Sequence, residues 1–197
     1  MADPSYIVDG VLTDGEAWVA LASDEPDGSA SSSGFTDPSD GSSLDWCQFT
    51  GFILICYVRG GRTGTAQEGF KLRLGTGASA VDSGSNYANQ DLLGDGSTPA
   101  AVAYSDSGIF VGNMPAVDAT ANVFGVSITI LTDVNSGKYK TAVTQAAFDL
   151  GGSGGVFLNA CTWKNQGAIN KMTLLTHTAI VSGSRLDLFG VLPRMVA

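Results

Sequence analysis

Residues 162–192 read TWKNQGAINKMTLLTHTAIVSGSRLDLFGVL, and the architecture can be worked out from there. Two apolar, β-rich runs flank Ser182-Gly183-Ser184. In the second run Leu186, Leu188 and Leu192 fall on one face, with Gly190 between them, while Arg185 and Asp187 fall on the other. Side chains on a strand point alternately to opposite faces, so this pattern predicts a strand with one buried face. A lone strand is not stable in water, so the rest of the chain must supply its sheet. Trp163, Ile169, Leu174, Leu186, Leu188 and Gly190 are the core positions expected here.

Working outward, the same alternation recurs. Trp46 to Arg59 is apolar on both faces, which predicts a central strand covered on both sides. Phe70 to Leu74 alternates cleanly, and so does Val123 to Leu131, with Phe124, Val126, Ile128 and Ile130 on one face. Lys138 to Phe148 scores as helix by propensity. It follows the turn Asn135-Ser136-Gly137 directly and has no cap, so strand is the better assignment. Val156 to Trp163 is a strand after the glycine turn 151–155. Ala17 to Ala22 is another, with Trp18 as its anchor. Ala101 to Tyr104 and Ile109 to Val111 read as a short hairpin over Ser105 to Gly108.

Between these lie polar stretches. Ser23 to Asp45 reads as loop with a short strand near Phe35, and Gly75 to Ala100 as a long excursion anchored by Tyr87 and Leu92-Leu93. Residues 1–16 form an acidic arm or a first strand. About eight or nine short strands without a long helix predict an all-β, single-domain two-sheet sandwich or jelly roll over residues 17–197, with a barrel as the alternative.

Composition narrows the function classes. The chain has 197 residues and 44% hydrophobic residues, enough for one domain with a real core. Its 26 glycines suit many tight turns, and only 15% of residues are charged. The net charge of −9 argues against nucleic acid, whose phosphates need Lys and Arg, and against an anionic membrane. No Lys or Arg precedes Arg59, whereas Asp3, Asp9, Asp14, Glu16, Asp24, Glu25, Asp27, Asp37, Asp40 and Asp45 all do. This is a solvated acidic surface or an arm for a basic neighbour. Cys47, Cys56 and Cys161 are odd in number and lack metal-site spacing, so all three read as buried free thiols of a protein folded in a reducing cytoplasm. The start MADPSYIVDG lacks the basic and apolar regions of a signal peptide. No apolar run approaches the roughly 20 residues of a spanning helix.

Each candidate for chemistry has a plainer explanation. Gly75 to Ala80 matches G-x-G-x-x-A, but Ser83-Gly84-Ser85-Asn86 breaks the helix that a dinucleotide fingerprint requires. His177, the one histidine, alternates with Leu175 on a strand and has no nucleophile elbow to serve. The loops 24–27 and 37–40 are acidic but match no calcium-loop pattern. Trp18, Trp46, Trp163 and the tyrosines can stack on sugars but serve more often as sheet anchors. No catalytic residue, cofactor or metal ligand is expected.

The runs Lys138-Tyr139-Lys140-Thr141, Trp163-Lys164 with Ile169, and Gly183-Ser184-Arg185-Leu186-Asp187-Leu188-Phe189-Gly190-Val191 together resemble a group of bacteriophage structural proteins. Members of that group end in a Gly-Ser, alternating-apolar, aromatic-Gly-aliphatic strand. The spacing from Phe49 to Tyr57 and the pair Asn86-Tyr87 are similar to that group as well. The resemblance covers most of residues 46–192 and is densest at the C-terminal end. It implies a β-sandwich carried on a virion, on the capsid or on a tail or fibre, and no active residues. The expectation is a capsid decoration protein, made in the host cytoplasm, homotrimeric and bound to the major capsid protein or other virion proteins. A tail or fibre module that binds host-surface glycan is the alternative, motivated by the 75–100 excursion and the aromatics. A glycoside-cleaving enzyme comes third.

Overall fold

The structure, a computed structural model, describes residues 7–8, 11–12, 18–42 and 44–192. The acidic segment 1–16 therefore lies largely outside the described residues, as do residues 193–197. In chain order the strands are β1 (Ile7–Val8), β2 (Val11–Leu12), β3 (Trp18–Asp24), β4 (Ser32–Thr36), β5 (Gly51–Val58), β6 (Gln67–Gly75) and β7 (Tyr87–Gly94). They continue with β8 (Ala100–Asp106), β9 (Ile109–Pro115), β10 (Gly125–Thr132), β11 (Lys140–Asp149), β12 (Gly154–Trp163), β13 (Lys171–Leu175) and β14 (Arg185–Val191). The only helical turn among the described residues is a 3-10 turn at Trp46–Gln48, capped by the Asp45 carboxylate on the Cys47 N–H.

The fold is all-β, a two-sheet sandwich. An eight-stranded antiparallel sheet runs β3-β14-β5-β10-β11-β12-β7-β8, and a four-stranded one runs β4-β13-β6-β9. A separate antiparallel pair joins β1 to β2. The core lies between the two large layers. Phe52, Leu54 and Cys56 of β5 and Leu186 and Leu188 of β14 point inward from the wide sheet, and Phe70, Leu72, Leu74, Met172 and Leu174 come from the narrow one. Trp163, Ile169, Leu174, Leu186 and Leu188 are all buried, and so is Gly190. Gly190 has to be glycine, because a Cβ there would stand 2.4 Å from the Phe49 ring.

Several expectations are corrected. The two C-terminal runs lie in different layers, β13 in the narrow sheet and β14 in the wide one, so the Ser182-Gly183-Ser184 turn carries the chain between them. Likewise β8 and β9 are no hairpin, since β8 pairs with β7 and β9 with β6. Tyr87–Gly94 of the 75–100 excursion is β7, an interior strand of the wide sheet. Its polar residues Asn89, Gln90 and Asp91 disguise it, because such residues are depleted in strands. The stretch from Trp46 begins as the 3-10 turn and becomes strand only at Gly51. On β5 the second face is covered at Ile53 but open at Tyr57. Trp18 is no anchor but an exposed edge residue beside Phe189.

Candidate assembly surface

Four neighbouring strands of the wide sheet, β10, β11, β12 and β7, mix buried polar and apolar residues on the inner face and carry a largely apolar, exposed outer face. Antiparallel sheets with one covered face place apolar residues inward and polar ones outward. Here Ser127, Thr129, Thr144, Asn159, Asn89 and Asp91 are buried on the inner face. On the outer face Val126, Ile128, Ile130, Val143, Val156, Leu158 and Leu92 are between 39% and 65% exposed. Strand register puts them side by side: Val126 lies opposite Tyr57, Ile128 opposite Ile55 and Leu158 opposite Leu92.

Most of the inner polar groups are held by hydrogen bonds, which is what makes their burial tolerable, although the Ser127 hydroxyl and Asn159 Oδ1 have no partner among the described residues. The Thr129 and Thr144 hydroxyls pair at 2.9 Å. The Asn159 amide donates to Asn89 Oδ1 at 3.2 Å and to Asp91 Oδ1. Tyr104 donates to Asp91 Oδ2 at 2.7 Å. Asn89 also clamps the β8–β9 crossover, donating to Gly108 O and accepting from the Phe110 N–H, both at 3.1 Å. The inner polar face is therefore structural: it fixes where the chain passes from the wide sheet to the narrow one.

Among the described residues the outer face has no such partners. From β5 across β10, β11, β12 and β7 to β8 its outward side chains are aliphatic, aromatic or neutral, and Asp149 at the end of β11 is the one charge. Beyond β5 the Arg185–Asp187 ion pair, 2.9 Å on β14, marks the rim. Small residues make the face uneven. Ala147 lies low between Val126 and Val156, and Ala160 beside Gln90, so shallow depressions open on either side of Leu158.

Elsewhere several charged and reactive groups are engaged. The Arg59 guanidinium donates to the carbonyls of Val117, Ala119, Thr120 and Val123 at 2.7–3.1 Å and thereby shapes that loop. The buried Glu68 carboxylate accepts from the N–H groups of Arg62, His177 and Thr178, tying two turns together. The Lys140 ammonium donates to the carbonyls of Ser136, Lys138 and Gln166, and burial lowers its pKa. Asp82 accepts from the Trp163 indole at 2.8 Å. Burial pushes the thiols of Cys56 and Cys161 up to about 12, which removes them as nucleophiles at neutral pH. Cys47 is exposed rather than buried as expected, because it sits in the 3-10 turn with Trp46, not Cys47, facing the core.

The remaining sequence candidates are scattered. His177 lies in a turn past the end of β13, exposed, and not on the strand with Leu175. No helix follows Gly75 to receive a phosphate. Trp46 and Trp163 are buried and out of reach of any sugar, whereas Trp18 and Tyr139 are exposed. Among the described residues, no three His, Cys, Asp or Glu side chains are placed to hold a metal ion. The alternation of Val126, Ile128 and Ile130 is visible in the sequence, but not that it faces outward. The signal that could have shown it is the polar alternation in the opposite phase, Ser127 and Thr129 here and Asn89 and Asp91 on β7. Compared with protein-family models, curated proteins and solved structures, the chain matches none.

Proposed function

We propose that this protein is a structural subunit of a bacteriophage virion, and specifically a capsid decoration protein that binds the head lattice and stabilises it. The observation that supports an assembling role is the exposed, largely apolar outer face of β10, β11, β12 and β7. A patch of apolar side chains this continuous is uncommon on a monomer and typical of a contact surface. Several charged groups, Arg59, Glu68 and Lys140 among them, support the same reading from the other side, because they brace turns and loops. The virion setting is supported by the resemblance of residues 46–192 to phage structural proteins. The glycan-binding alternative loses part of its motive, since Tyr87–Gly94 of the excursion that suggested it is a strand of the wide sheet.

Two measurements on phage particles whose genome encodes the chain test this. Immunogold labelling should mark the heads of intact particles. Particles lacking the protein should release their DNA at a lower temperature, and adding the purified protein back should restore the loss. Unlabelled heads, together with unchanged heat resistance, would rule the decoration role out.

A further inference from the structure

We infer that the outer face of the wide sheet, from β5 to β8, is covered by a second copy of this same chain. The inference rests on the assembling role proposed above but not on the virion setting.

Three observations point to a copy rather than to another occupant. The first is charge. The chain carries a net −9, so two copies repel wherever their acidic surfaces meet. The outer face is the broad region they can share without that cost, since Asp149 is its one charged side chain. The same neutrality tells against a basic protein or a phosphate ligand, which would find nothing to pair with. The second is size. Six strands about 4.8 Å apart, each presenting roughly seven residues at about 3.4 Å, span about 700 Å². A stable protein–protein contact buries about 800 Å² per partner. The third is relief. Val126, Ile128 and Val156 stand above Ala147, and Leu158 stands between two depressions. Ridges beside troughs on one face allow a copy of that face to interdigitate with it, as stacked sheets do at about 10 Å separation.

Light scattering and sedimentation on the full-length chain test the inference without any particle. The wild type should exceed its monomer mass of 20.2 kDa. Ile128→Asp and Leu158→Asp should each weaken association by at least about a hundredfold, because each forces an unpaired charge into a dry contact. Both should keep the wild-type circular dichroism, since both sites are half exposed in one chain. Val117→Asp, an exposed apolar residue away from this face, should leave the mass unchanged. Hydroxyl-radical footprinting of the wild type needs no variant. Oxidation of Ile128 and Leu158 should fall as concentration rises, while that of Val117 should not. A wild type that stays monomeric at every concentration would overturn the inference, as would Asp variants with the wild-type mass. So would a chain that associates only after residues 1–17 are removed, because its own N-terminal segment would then be the cover. Failure here alongside labelled phage heads would remove the self-contact and leave the decoration role standing; success without labelling would do the reverse.

Discussion

The inner and outer faces of β10, β11, β12 and β7 come from the same residues in alternation, yet they are governed by different constraints. Inside, β9 and the narrow sheet lie across the strands, and the buried amides and carboxylates fix geometry. Asn89 holds the crossover, Asn159 bridges Asn89 to Asp91, and Asp91 receives Tyr104. Outside, Ile128 and Leu158 are 39% and 42% exposed, and no second layer of the described residues lies over them. Alternation therefore fixes which residues share a face. What lies over a face decides whether it is buried.

The sharpest way to break the comparison is at its inner end. Trp163 is buried, stacks on Tyr87 at 6.0 Å between ring centroids and donates to Asp82. Trp163→Ala should cost about 3–5 kcal/mol in urea unfolding, the range for deleting a buried large aromatic. A loss under about 1 kcal/mol would mean the inner face is not the packed one. Next comes Asn159→Ala, which leaves Asp91 and Asn89 each short of a donor. About 1–3 kcal/mol is expected, the cost of stranding a buried polar partner. If Asn159→Ala were neutral, the inner polar layer would be incidental. Third, Leu158→Ala on the outer face should change unfolding of the dilute chain by less than about 1 kcal/mol, because most of what it removes is already wet. Neighbouring Phe157 makes the control: Phe157→Ala should cost several times more, although the two residues are adjacent on one strand.

Much of the fold can be read from the sequence wherever local pattern and tertiary role agree. The strand β14, with Leu186 and Leu188 in and Arg185 out, follows from alternation alone. So does β11, where a turn directly before the segment outweighs its helical propensity. Misreadings fall where a polar residue serves the interior. Asn89 and Asp91 make β7 look like loop, because propensity scores a side chain without knowing that a crossover needs it. The layer changes at Ser107-Gly108 and Ser182-Gly183-Ser184 look like hairpin turns for a related reason. A turn signal says that the chain reverses, not which sheet receives the next strand. The outer face is legible only as a set of apolar residues. Its direction depends on β9 lying across the other side, which is a non-local fact.

The smallest expected effect is a pH dependence at the edge of the inner face. Burial alone would raise the pKa of Asp82. The donors Trp163, Asn86 and Gly84, helped by the Arg73 charge, outweigh it and leave the carboxyl below its ordinary value. A carboxyl depressed by folding contributes stability that is present above its unfolded value and lost as pH falls through the folded one. Asp82→Asn should therefore lower stability most near neutral pH, and the gap to the wild type should close as the solution is acidified past the carboxylate range. No counterpart exists on the outer face, where the strands from β5 to β8 carry only Asp149. Association through that face should accordingly follow the charge of the rest of the chain and tighten as the acidic surface is neutralised. If unfolding of Asp82→Asn tracked the wild type in parallel at all pH values, Asp82 would be a spectator and Trp163 would be held by packing alone.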